Sequence, residues 1–337
     1  MSIEKPLSFD AIIAAAETLK GIARETPLLE SALLNEQLGR RLLVKPECLQ
    51  LTGSFKFRGA YNTLAGLPAA QRAQGVVAFS SGNHAQGVAL AARMFDVPAV
   101  IIMPADAPRL KIDNTRSYGA DVILYDRNTE DREAICRDLS ESQGLTLVKP
   151  YDQVSVIAGQ GTVGLEISQQ CHAIGVTPNA VFVPCGGGGL TSGVATALST
   201  ASPETQVVGV EPSDFDDTVR SLDAGERLGV AAGGASACDA LLSPMPGEIT
   251  FPILQARDVR ATSVTDDQAF QAMQVAYESL KLVAEPGGAV ALAAALAPTF
   301  ADYAGIDPTS TVVAVISGGN VDADMFARAL LRAKQDG

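Results

Sequence analysis

The chain has 337 residues, of which 47% are hydrophobic, so it can bury a large core and its length predicts about two domains. Its 25 basic and 38 acidic residues give a net charge of −13, which argues against nucleic acid or an anionic membrane as a partner because both attract basic surfaces. With no apolar run near the ~20 residues of a membrane span and no signal-peptide pattern at 1–10, we expect a cytoplasmic protein with a small-molecule ligand.

The first informative segment is GSFKFRGA at 53–60, which places Lys56 between Phe55 and Phe57 at the predicted start of a helix. A lysine in apolar surroundings loses its proton more readily and acts as an amine rather than as a solvated cation. A Schiff-base lysine requires that property. Lys56 is therefore the first candidate catalytic residue.

Short β-branched runs alternate with amphipathic segments through the rest of the chain. In the first half, strands are predicted at 75–79, 97–103, 121–125 and 145–148, and helices near 83–95, 108–118 and 128–143. In the second half, strands are predicted at 180–184, 206–210, 257–263 and 311–316, and helices near 155–172, 190–199, 265–282 and 321–334. This alternation predicts two α/β units, each with a mostly parallel sheet covered by helices. A long loop is predicted at 225–252, where glycine and proline cluster.

The cysteines do not form a metal-binding or disulfide pattern. There are five of them, with no CxxC pair, and the chain has only two histidines to complete a metal site. We expect free thiols at Cys48, Cys136, Cys171, Cys185 and Cys238.

A polar loop follows the predicted strand at 75–79 and opens the next helix. It consists of Ser80, Ser81, Gly82, Asn83 and His84. Small hydroxyl residues and glycine at a helix N-terminus suit a carboxylate or another anion. The alternative is an ordinary helix cap, which by itself is the commoner explanation of such residues.

A run of glycines follows the predicted strand at 180–184. The residues are Gly186, Gly187, Gly188 and Gly189, and Leu190 then opens a helix. Successive backbone N–H groups can turn toward one point there, and the helix N-terminus adds a partial positive charge, so the segment suits a phosphate. It matches neither GxGxxG nor GK[ST], which weakens a nucleotide interpretation. The alternative is a flexible turn, which would not need four glycines.

Ser317 begins the loop SGGN at 317–320, directly after the predicted strand at 311–316. In a doubly wound sheet, loops at the carboxyl ends of the strands line the ligand crevice. We therefore expect this loop, the glycine run and the serine loop to converge on one site.

An acidic segment, EPSDFDD at 211–217, follows the predicted strand at 206–210. Oxygen ligands of this kind suit a hard cation such as Mg²⁺ or Ca²⁺. A solvated acidic loop in an acidic protein explains the segment equally well.

Taken together, these motifs resemble the pyridoxal-phosphate enzymes of fold type II, specifically the group of serine/threonine dehydratases, serine racemases and hydroxyaspartate ammonia-lyases. The resemblance spans nearly the whole chain and is highly specific in combination. Its markers are GSFKFRGA at 53–60, SSGNHAQG at 80–87, GGGG at 186–189, EPGGA at 285–289 and SGGN at 317–320. It implies a tryptophan synthase β-like α/β fold of two domains: a large cofactor-binding domain of residues 1–52 and 152–337, and a small domain of residues 53–151.

The resemblance also implies pyridoxal 5′-phosphate as cofactor. Lys56 would bind it covalently and later remove the α-proton of the substrate, Phe55 would pack on its ring, and Asn83 would bond its 3-hydroxyl group. The glycines with Leu190 would hold the phosphate, and Ser317 would face the pyridine nitrogen. A serine cannot enforce a protonated ring, which favours β-elimination. The cofactor-binding positions so implied are Phe55, Lys56, Asn83, Gly186, Gly187, Gly188, Gly189, Leu190 and Ser317.

The implied reaction converts a 3-hydroxy amino acid such as L-threonine or L-serine to a 2-oxo acid and ammonia. Alternatives are 3-hydroxyaspartate ammonia-lyase and serine or aspartate racemase, because Ser81 matches the racemase serine that can exchange the α-proton. Arg132 matches an arginine that can reach an anionic substrate, although it can equally be a surface residue beside Asp131 and Glu133. The substrate-binding positions so implied are Ser80, Ser81, Gly82, Asn83, His84 and Arg132.

Three further expectations follow from the resemblance. Glu211, Asp217 and the carbonyl of Phe215 match a cation site of the racemase-like members, with Mg²⁺, Mn²⁺ or Ca²⁺ as candidates. The protein would be a homodimer or homotetramer, without the C-terminal regulatory domain of biosynthetic threonine dehydratases. The segment ACDA at 237–240 departs from the ADG pattern of many relatives, so the geometry of that loop is not predicted.

Overall fold

The computed structural model describes residues 7–332, in which the strands form two separate parallel sheets. The strands, in chain order, are β1 Leu42–Pro46, β2 Val76–Phe79, β3 Ala99–Pro104, β4 Asp121–Tyr125, β5 Thr146–Leu147, β6 Ala180–Pro184, β7 Gln206–Pro212, β8 Arg260–Val264 and β9 Val312–Ile316. The helices are α1 Phe9–Leu19, α2 Ala32–Leu38, α3 Lys56–Gly66, α4 Ala69–Gln74, α5 Asn83–Met94, α6 Arg109–Ser117, α7 Arg132–Gln143, α8 Val154–Ala173, α9 Gly189–Ala201, α10 Asp217–Ala224, α11 Thr250–Ala256, α12 Asp266–Leu280, α13 Pro286–Leu296, α14 Phe300–Ala304 and α15 Ala323–Arg332.

The larger sheet has five strands in the order β1-β9-β6-β7-β8, and the smaller has four in the order β4-β3-β2-β5. Every neighbouring pair in both sheets is parallel. Parallel sheets are buried on both faces, which explains why β6 and β9 read as continuous apolar runs rather than alternating ones. The predicted fold class, two parallel α/β units, is confirmed.

The apolar core lies between each sheet and its helices. One cluster joins the larger sheet to α12 and α13 through residues such as Phe182, Met273 and Val290. Another joins the smaller sheet to α3 and α5 through residues such as Leu64 and Ile101. Helices α3 and α5 therefore pack in the same core as the strands whose ends carry the site.

The predicted elements agree with the structure apart from some boundaries and several omissions. The predicted helix at 128–143 begins at Arg132, and the strand predicted at 257–263 begins at Arg260 because α11 and its turn occupy the preceding residues. Strand β1 and helix α13 are among the elements that the sequence patterns do not predict. The last residues of the helix expected at 321–334 lie outside the described part of the chain.

The segment predicted as a long loop is partly ordered into helical turns. A short 3₁₀ turn covers Asp239–Leu241, and α11 begins at Thr250. No helix of residues 7–332 is long and apolar enough to cross a membrane. The boundaries proposed for the large and small domains stay a prediction, although the four-stranded sheet lies wholly within 53–151.

Candidate active site

One cavity lies where the carboxyl ends of β2, β6 and β9 meet, as expected for a parallel sheet. The serine loop, the glycine run and Ser317 all line it, so the expected convergence is present in the fold. Gly82 is buried beside the cavity without lining it. The predicted positions that line it are Phe55, Lys56, Ser80, Ser81, Asn83, His84, Arg132, Gly186, Gly187, Gly188, Gly189, Leu190 and Ser317.

Lys56 is the first residue of α3, and its amine points into the cavity wall. The Nζ atom donates a hydrogen bond to the carbonyl of Pro150 at 2.7 Å and lies 5.1 Å from the centroid of the Phe55 ring. Burial lowers the pKa of the Lys56 ammonium to about 8, because the charged form loses hydration without gaining a carboxylate partner. The amine is thus available as a base or nucleophile near neutral pH.

The two aromatic residues that flank Lys56 in the sequence occupy different environments. Phe55 lines the cavity, whereas Phe57 is fully buried on the other side of the helix and packs on Tyr61 with ring centroids 5.6 Å apart. The expectation that both rings flank the amine is wrong for Phe57. Residues two apart on a helix point in different directions, which a linear motif does not show.

Arg58, which the sequence interpretation did not use, anchors the helix that carries Lys56. It is 1% exposed, and its Nε donates to Glu47 at 2.8 Å while its Nη1 donates to Glu166 at 2.5 Å. Glu166 also binds Lys45 at 2.6 Å. Two cations and two carboxylates therefore form a closed network that joins β1, α3 and α8.

The glycine run forms the start of α9. Gly188 occupies the N-cap position with φ of 88°, and no side chain caps the helix. The ring of Tyr151 lies directly against the loop, so that a Cβ at Gly187 would collide with it, and a Cβ at Gly189 would come within 2.9 Å of the Cβ of Tyr151. Glycine is required because the loop is covered closely, and the uncapped helix N-terminus suits an anion such as phosphate.

The serine loop is not an ordinary helix cap. Gly82 is the N-cap residue of α5 and no side chain caps the helix, while the Ser80 hydroxyl accepts a hydrogen bond from the Gly82 N–H at 3.0 Å. Ser81 is half-buried in the cavity wall. The start of α5 thus presents a second uncapped helix N-terminus beside the cavity, as an anionic substrate group requires.

Asn83 and His84 are held in fixed orientations beneath the cavity. The Asn83 amide donates to Glu285, and its Oδ1 accepts from Asn320 at 2.9 Å. His84 donates from Nε2 to the carbonyl of Val148 at 2.9 Å, while its buried Nδ1 has no partner among the described residues. Burial and the nearby charge of Lys56 lower the pKa of His84 to about 3, so this imidazole is neutral.

Ser317 links the larger sheet to the lysine. Its side chain lines the cavity, its carbonyl accepts from the Phe55 N–H at 3.1 Å, and its own N–H donates to the carbonyl of Gly288 at 3.2 Å. These bonds tie the ends of β9 and α13 to the residue that precedes Lys56. Phe55 and Ser317, two of the predicted cofactor-binding positions, are therefore fixed relative to each other by a main-chain bond.

Arg132 is not a solvent-facing member of the charged run at 131–133. Its guanidinium lies 5.0 Å above the Phe79 ring and lines the cavity, and within residues 7–332 it forms no ion pair with a carboxylate. Asp131 instead caps α7 by accepting from the N–H groups of Glu133 and Ala134 at 2.8 and 3.3 Å. The structure therefore presents an arginine to whatever the cavity holds.

The loop whose geometry was not predicted forms part of the cavity wall. Asp239 to Ser243 line it, with Cys238 buried behind them. Lys111 of α6, which is buried, binds Asp239 at 2.7 Å and Glu285 at 2.9 Å. Burial raises the pKa of the Glu285 carboxyl, although Lys111 beside it acts in the opposite direction. Sequence inspection had no signal for these contacts, whose members lie far apart in the chain.

The structure gives less support for the expected cation site than for the cavity. In the part of the chain that the structure describes, no group of three or more histidine, cysteine or acidic side chains is arranged to hold a metal. Glu211 instead accepts from the N–H groups of Thr218 and Val219 at 3.1 and 2.9 Å, which makes it a cap for α10. The cysteines are all free thiols, as predicted.

Two observations still fit a cation at this position. The Asp217 Oδ2 is buried without a hydrogen-bond partner among the described residues. Burial raises the pKa of Asp217 to about 7, and burial together with the Asp217 charge raises that of Glu211 to about 8. Two adjacent carboxylates that resist ionisation are the donor set that a hard cation would stabilise.

The chain is similar to known proteins over nearly its whole length. Residues 19–318 match the family model described as pyridoxal-phosphate dependent enzyme. The chain is 42% identical to L-threo-3-hydroxyaspartate ammonia-lyase of Pseudomonas sp. over 323 residues, which cover 96% of this chain and 98% of the relative.

Solved structures with different activities are also similar. The threonine deaminase of T.th. is 43% identical with a TM-score of 0.85, and the match covers 94% of this chain and 99% of the other. Maize serine racemase is 34% identical with a TM-score of 0.90, covering 98% of this chain and 99% of the other. Relatives with three different activities are thus 34–43% identical to this chain, so overall similarity alone does not select the substrate.

Proposed function

Because the chain belongs to the pyridoxal-phosphate dependent enzymes, we propose that it is an ammonia-lyase that takes 3-hydroxyaspartate as its substrate and releases a 2-oxo acid and ammonia. Membership of the β-eliminating and racemising group of this family follows from the comparisons above. The single observation that favours 3-hydroxyaspartate over serine or threonine is Arg132, a cation in the cavity wall without a carboxylate partner in the described chain.

The cavity fits pyridoxal phosphate in its chemistry. It combines an amine that burial makes less basic, an uncapped helix N-terminus behind closely covered glycines, and a buried serine at the end of β9. Lys56 would hold the cofactor covalently, Gly186 to Leu190 would hold its phosphate, and Phe55, Asn83 and Ser317 would surround its ring. When bound, the cofactor draws electrons away from the α-carbon of the amino acid.

Lys56 would also act as the base of the reaction. A base is most effective when its pKa lies near the working pH, and the value of about 8 meets that condition. Its bond to the Pro150 carbonyl fixes the direction of the amine. His84 cannot compete for the proton at neutral pH, since its pKa is lowered to about 3.

The two carboxylates of 3-hydroxyaspartate would bind at different walls. The α-carboxylate suits the uncapped start of α5, with Ser80, Ser81, Gly82, Asn83 and His84 around it. The second carboxylate suits Arg132, whose planar guanidinium can donate two parallel hydrogen bonds. L-Serine and L-threonine lack this group, so they would leave the arginine unused.

Racemisation is the second candidate activity, and Ser81 favours it. Its hydroxyl lines the cavity and forms no hydrogen bond within the described residues, so it is free to exchange a proton. The racemase reaction needs such a group on the face of the substrate opposite Lys56. The product of this candidate would be the enantiomer of serine or aspartate rather than a 2-oxo acid.

A bound divalent cation is a separate part of the proposal. Glu211, Asp217 and the carbonyl of Phe215 would hold it, supported by the raised pKa values and the unpaired Asp217 oxygen. A homodimer or homotetramer stays a prediction from the family resemblance, and a cytoplasmic location stays a prediction from the sequence.

The proposed substrate is tested by assaying the purified protein with L-threo-3-hydroxyaspartate, L-serine and L-threonine, following 2-oxo acid, ammonia and the enantiomers of the remaining substrate. In Arg132→Ala, we expect kcat/KM to fall on the order of a hundredfold for hydroxyaspartate and little for L-serine. Arg127→Ala is the matched control, because Arg127 lines the same cavity but already binds Asp106 at 2.7 Å. Equal losses for both substrates in Arg132→Ala would overturn the assignment.

A further inference from the structure

The buried Lys111 joins the smaller-sheet side of the cavity to the loop that carries Asp239 and to Glu285, which precedes α13. It comes from α6, beside the smaller sheet, and its side chain is 1% exposed. Its stem passes directly over Gly82, where a Cβ would collide with it. A buried ammonium is costly unless it is paired, so the two carboxylates that meet it are required for its position.

The two carboxylates bound by Lys111 lie in different surroundings. Glu285 is 1% exposed, lies behind the cavity and accepts the Asn83 amide. Asp239 has a side chain that is 29% exposed and lines the cavity itself. Within residues 7–332, the ion pairs of Asp239 are limited to the one with Lys111. Lys111 therefore compensates the negative charge that Asp239 presents to the cavity.

The balance of charge in the cavity wall depends on this pair. Arg132 supplies one uncompensated positive charge, and Arg127 is neutralised by Asp106. Asp239 supplies one negative charge at the cavity wall, which Lys111 compensates at 2.7 Å while it also pairs with the buried Glu285 at 2.9 Å behind the wall. An uncompensated Asp239 would oppose Arg132 and repel a substrate with a second carboxylate, whereas a substrate with one carboxylate and one ammonium would be affected less.

We propose that Lys111 and Asp239 form a specificity-determining pair, in which the neutralisation of Asp239 by Lys111 lets the cavity accept a dicarboxylic amino acid. This inference rests on the proposed function, because 3-hydroxyaspartate is the dicarboxylic substrate in question. Lys111 acts through Asp239 and is a positioning residue. The selectivity ratio, kcat/KM for hydroxyaspartate divided by kcat/KM for L-serine, should follow the net charge of the pair.

Four variants of the holoenzyme separate this role from a structural one. Lys111→Met makes the pair negative, and the selectivity ratio should fall on the order of tenfold. Asp239→Asn makes the pair positive, and the ratio should rise. The double variant restores neutrality, so its ratio should return toward the wild-type value even if its overall activity is lower. Lys111→Arg keeps the charge and should keep the ratio.

Two controls keep the result interpretable. Arg41→Met changes the net charge of the protein by the same amount at an exposed pair with Glu30 away from the cavity, and its ratio should not change. Cofactor content, measured by absorbance, should be equal in every variant that is compared. Should Lys111→Met fail to fold, two variants still test the charge dependence. Asp239→Asn changes the charge of the pair and should raise the ratio, whereas Lys111→Arg keeps the charge and should leave the ratio unchanged.

If both single variants lower the activity with both substrates equally and the double variant is no better, the pair is only structural and the proposal is wrong. If the wild-type protein does not act on hydroxyaspartate, the proposed function fails instead. The pair is then tested by inhibition of L-serine turnover by succinate, which should weaken in Lys111→Met and strengthen in Asp239→Asn. Unchanged inhibition in both variants would overturn the proposal independently of the reaction.

Discussion

Lys56 and Arg58 are two cations of the same helical turn, and their surroundings differ completely. Arg58 is buried against Glu47 and Glu166, and these carboxylates raise its pKa despite the cost of burial. Lys56 meets a neutral carbonyl and an aromatic ring instead, and burial lowers its pKa to about 8. A buried cation with carboxylate partners holds the fold together, whereas one without them is prepared for chemistry.

The largest expected effect comes from removing the amine of Lys56, which tests whether the cation without a carboxylate partner carries the chemistry. In Lys56→Met, activity should fall on the order of 10⁴-fold or more, because both the covalent hold on the cofactor and the base are lost. Compared without cofactor, the variant should be no less stable than the wild-type protein, since an unpaired ammonium leaves the interior. Activity is measured with hydroxyaspartate. After borohydride reduction, peptide mass analysis should find the cofactor attached to Lys56 in the wild-type protein and no such attachment in Lys56→Met. Labelling of another lysine in the wild type would contradict the assignment.

The next largest effect comes from removing the guanidinium of Arg58, which tests whether the cation with carboxylate partners stabilises the fold. Arg58→Met should lower the free energy of unfolding by about 3–5 kcal/mol, because it leaves Glu47 buried without its main partner. Denaturant unfolding of the holoenzyme measures this change. The matched control is Arg41→Met, which breaks an exposed pair with Glu30 at 2.7 Å and should cost about 0–1 kcal/mol. Similar losses in the two variants would show that burial of the Arg58 network has no special weight.

A smaller effect is expected in the pH dependence of the reactivity of Lys56. The rate at which the cofactor-free protein reacts with added pyridoxal phosphate should rise about tenfold per pH unit below pH 8 and level off above it, because only the neutral amine reacts. A free lysine derivative under the same conditions should keep rising toward its ordinary pKa. A profile that matches the free lysine would show that burial does not activate Lys56.

The smallest effect extends the same reasoning to buried anions. Glu211 and Asp217 have pKa values raised to about 8 and 7, so the folded protein holds more protons than the unfolded chain above their ordinary pKa values. Their contribution to stability is fully present below their ordinary pKa values, falls progressively as the pH rises above those values, and is lost once the pH has passed 7 to 8. Millimolar MgCl₂ should therefore raise the melting temperature by about 2–4 °C at pH 8 and by less at about pH 5.5.

The matched variant for the cation is Glu211→Gln, in which both the pH dependence and the Mg²⁺ response should shrink. An equal response to Mg²⁺ at both pH values, or in both proteins, would place the cation elsewhere. No response at all would remove the metal from the proposal.

Short, local signals account for what the sequence predicts well. The strands β2, β3, β6 and β9 are apolar runs bounded by polar loops, and each is predicted within one or two residues. Strand β1 escapes prediction because it contains Lys45, which is charged but fully buried through a pair with Glu166 on a distant helix. Helix α13 escapes prediction because it is apolar on all sides, so it has no periodicity to detect.

The candidate site divides in the same way. Lys56, the glycine run, the serine loop and Ser317 can be found because each motif is contiguous and follows a strand or opens a helix, and parallel strands bring their carboxyl ends to one edge. Asp239, Lys111, Glu285 and Tyr151 cannot, because each acts through contact with a residue far away in the chain. Arg132 can be found, but its position in the cavity wall could not be decided from the charged run around it.

The sequence by itself determined the parallel α/β fold, the family and the residues proposed to contact the cofactor, because these depend on hydrophobic patterns and contiguous motifs. Only the tertiary structure decided which charges are neutralised and which line the cavity. Ionisation and selectivity depend on solvent exclusion and on distances of a few ångströms between atoms that are remote in sequence. The structure therefore separates Lys56 from Arg58, and Arg132 from Arg127, although the sequence presents each pair as two nearby cations.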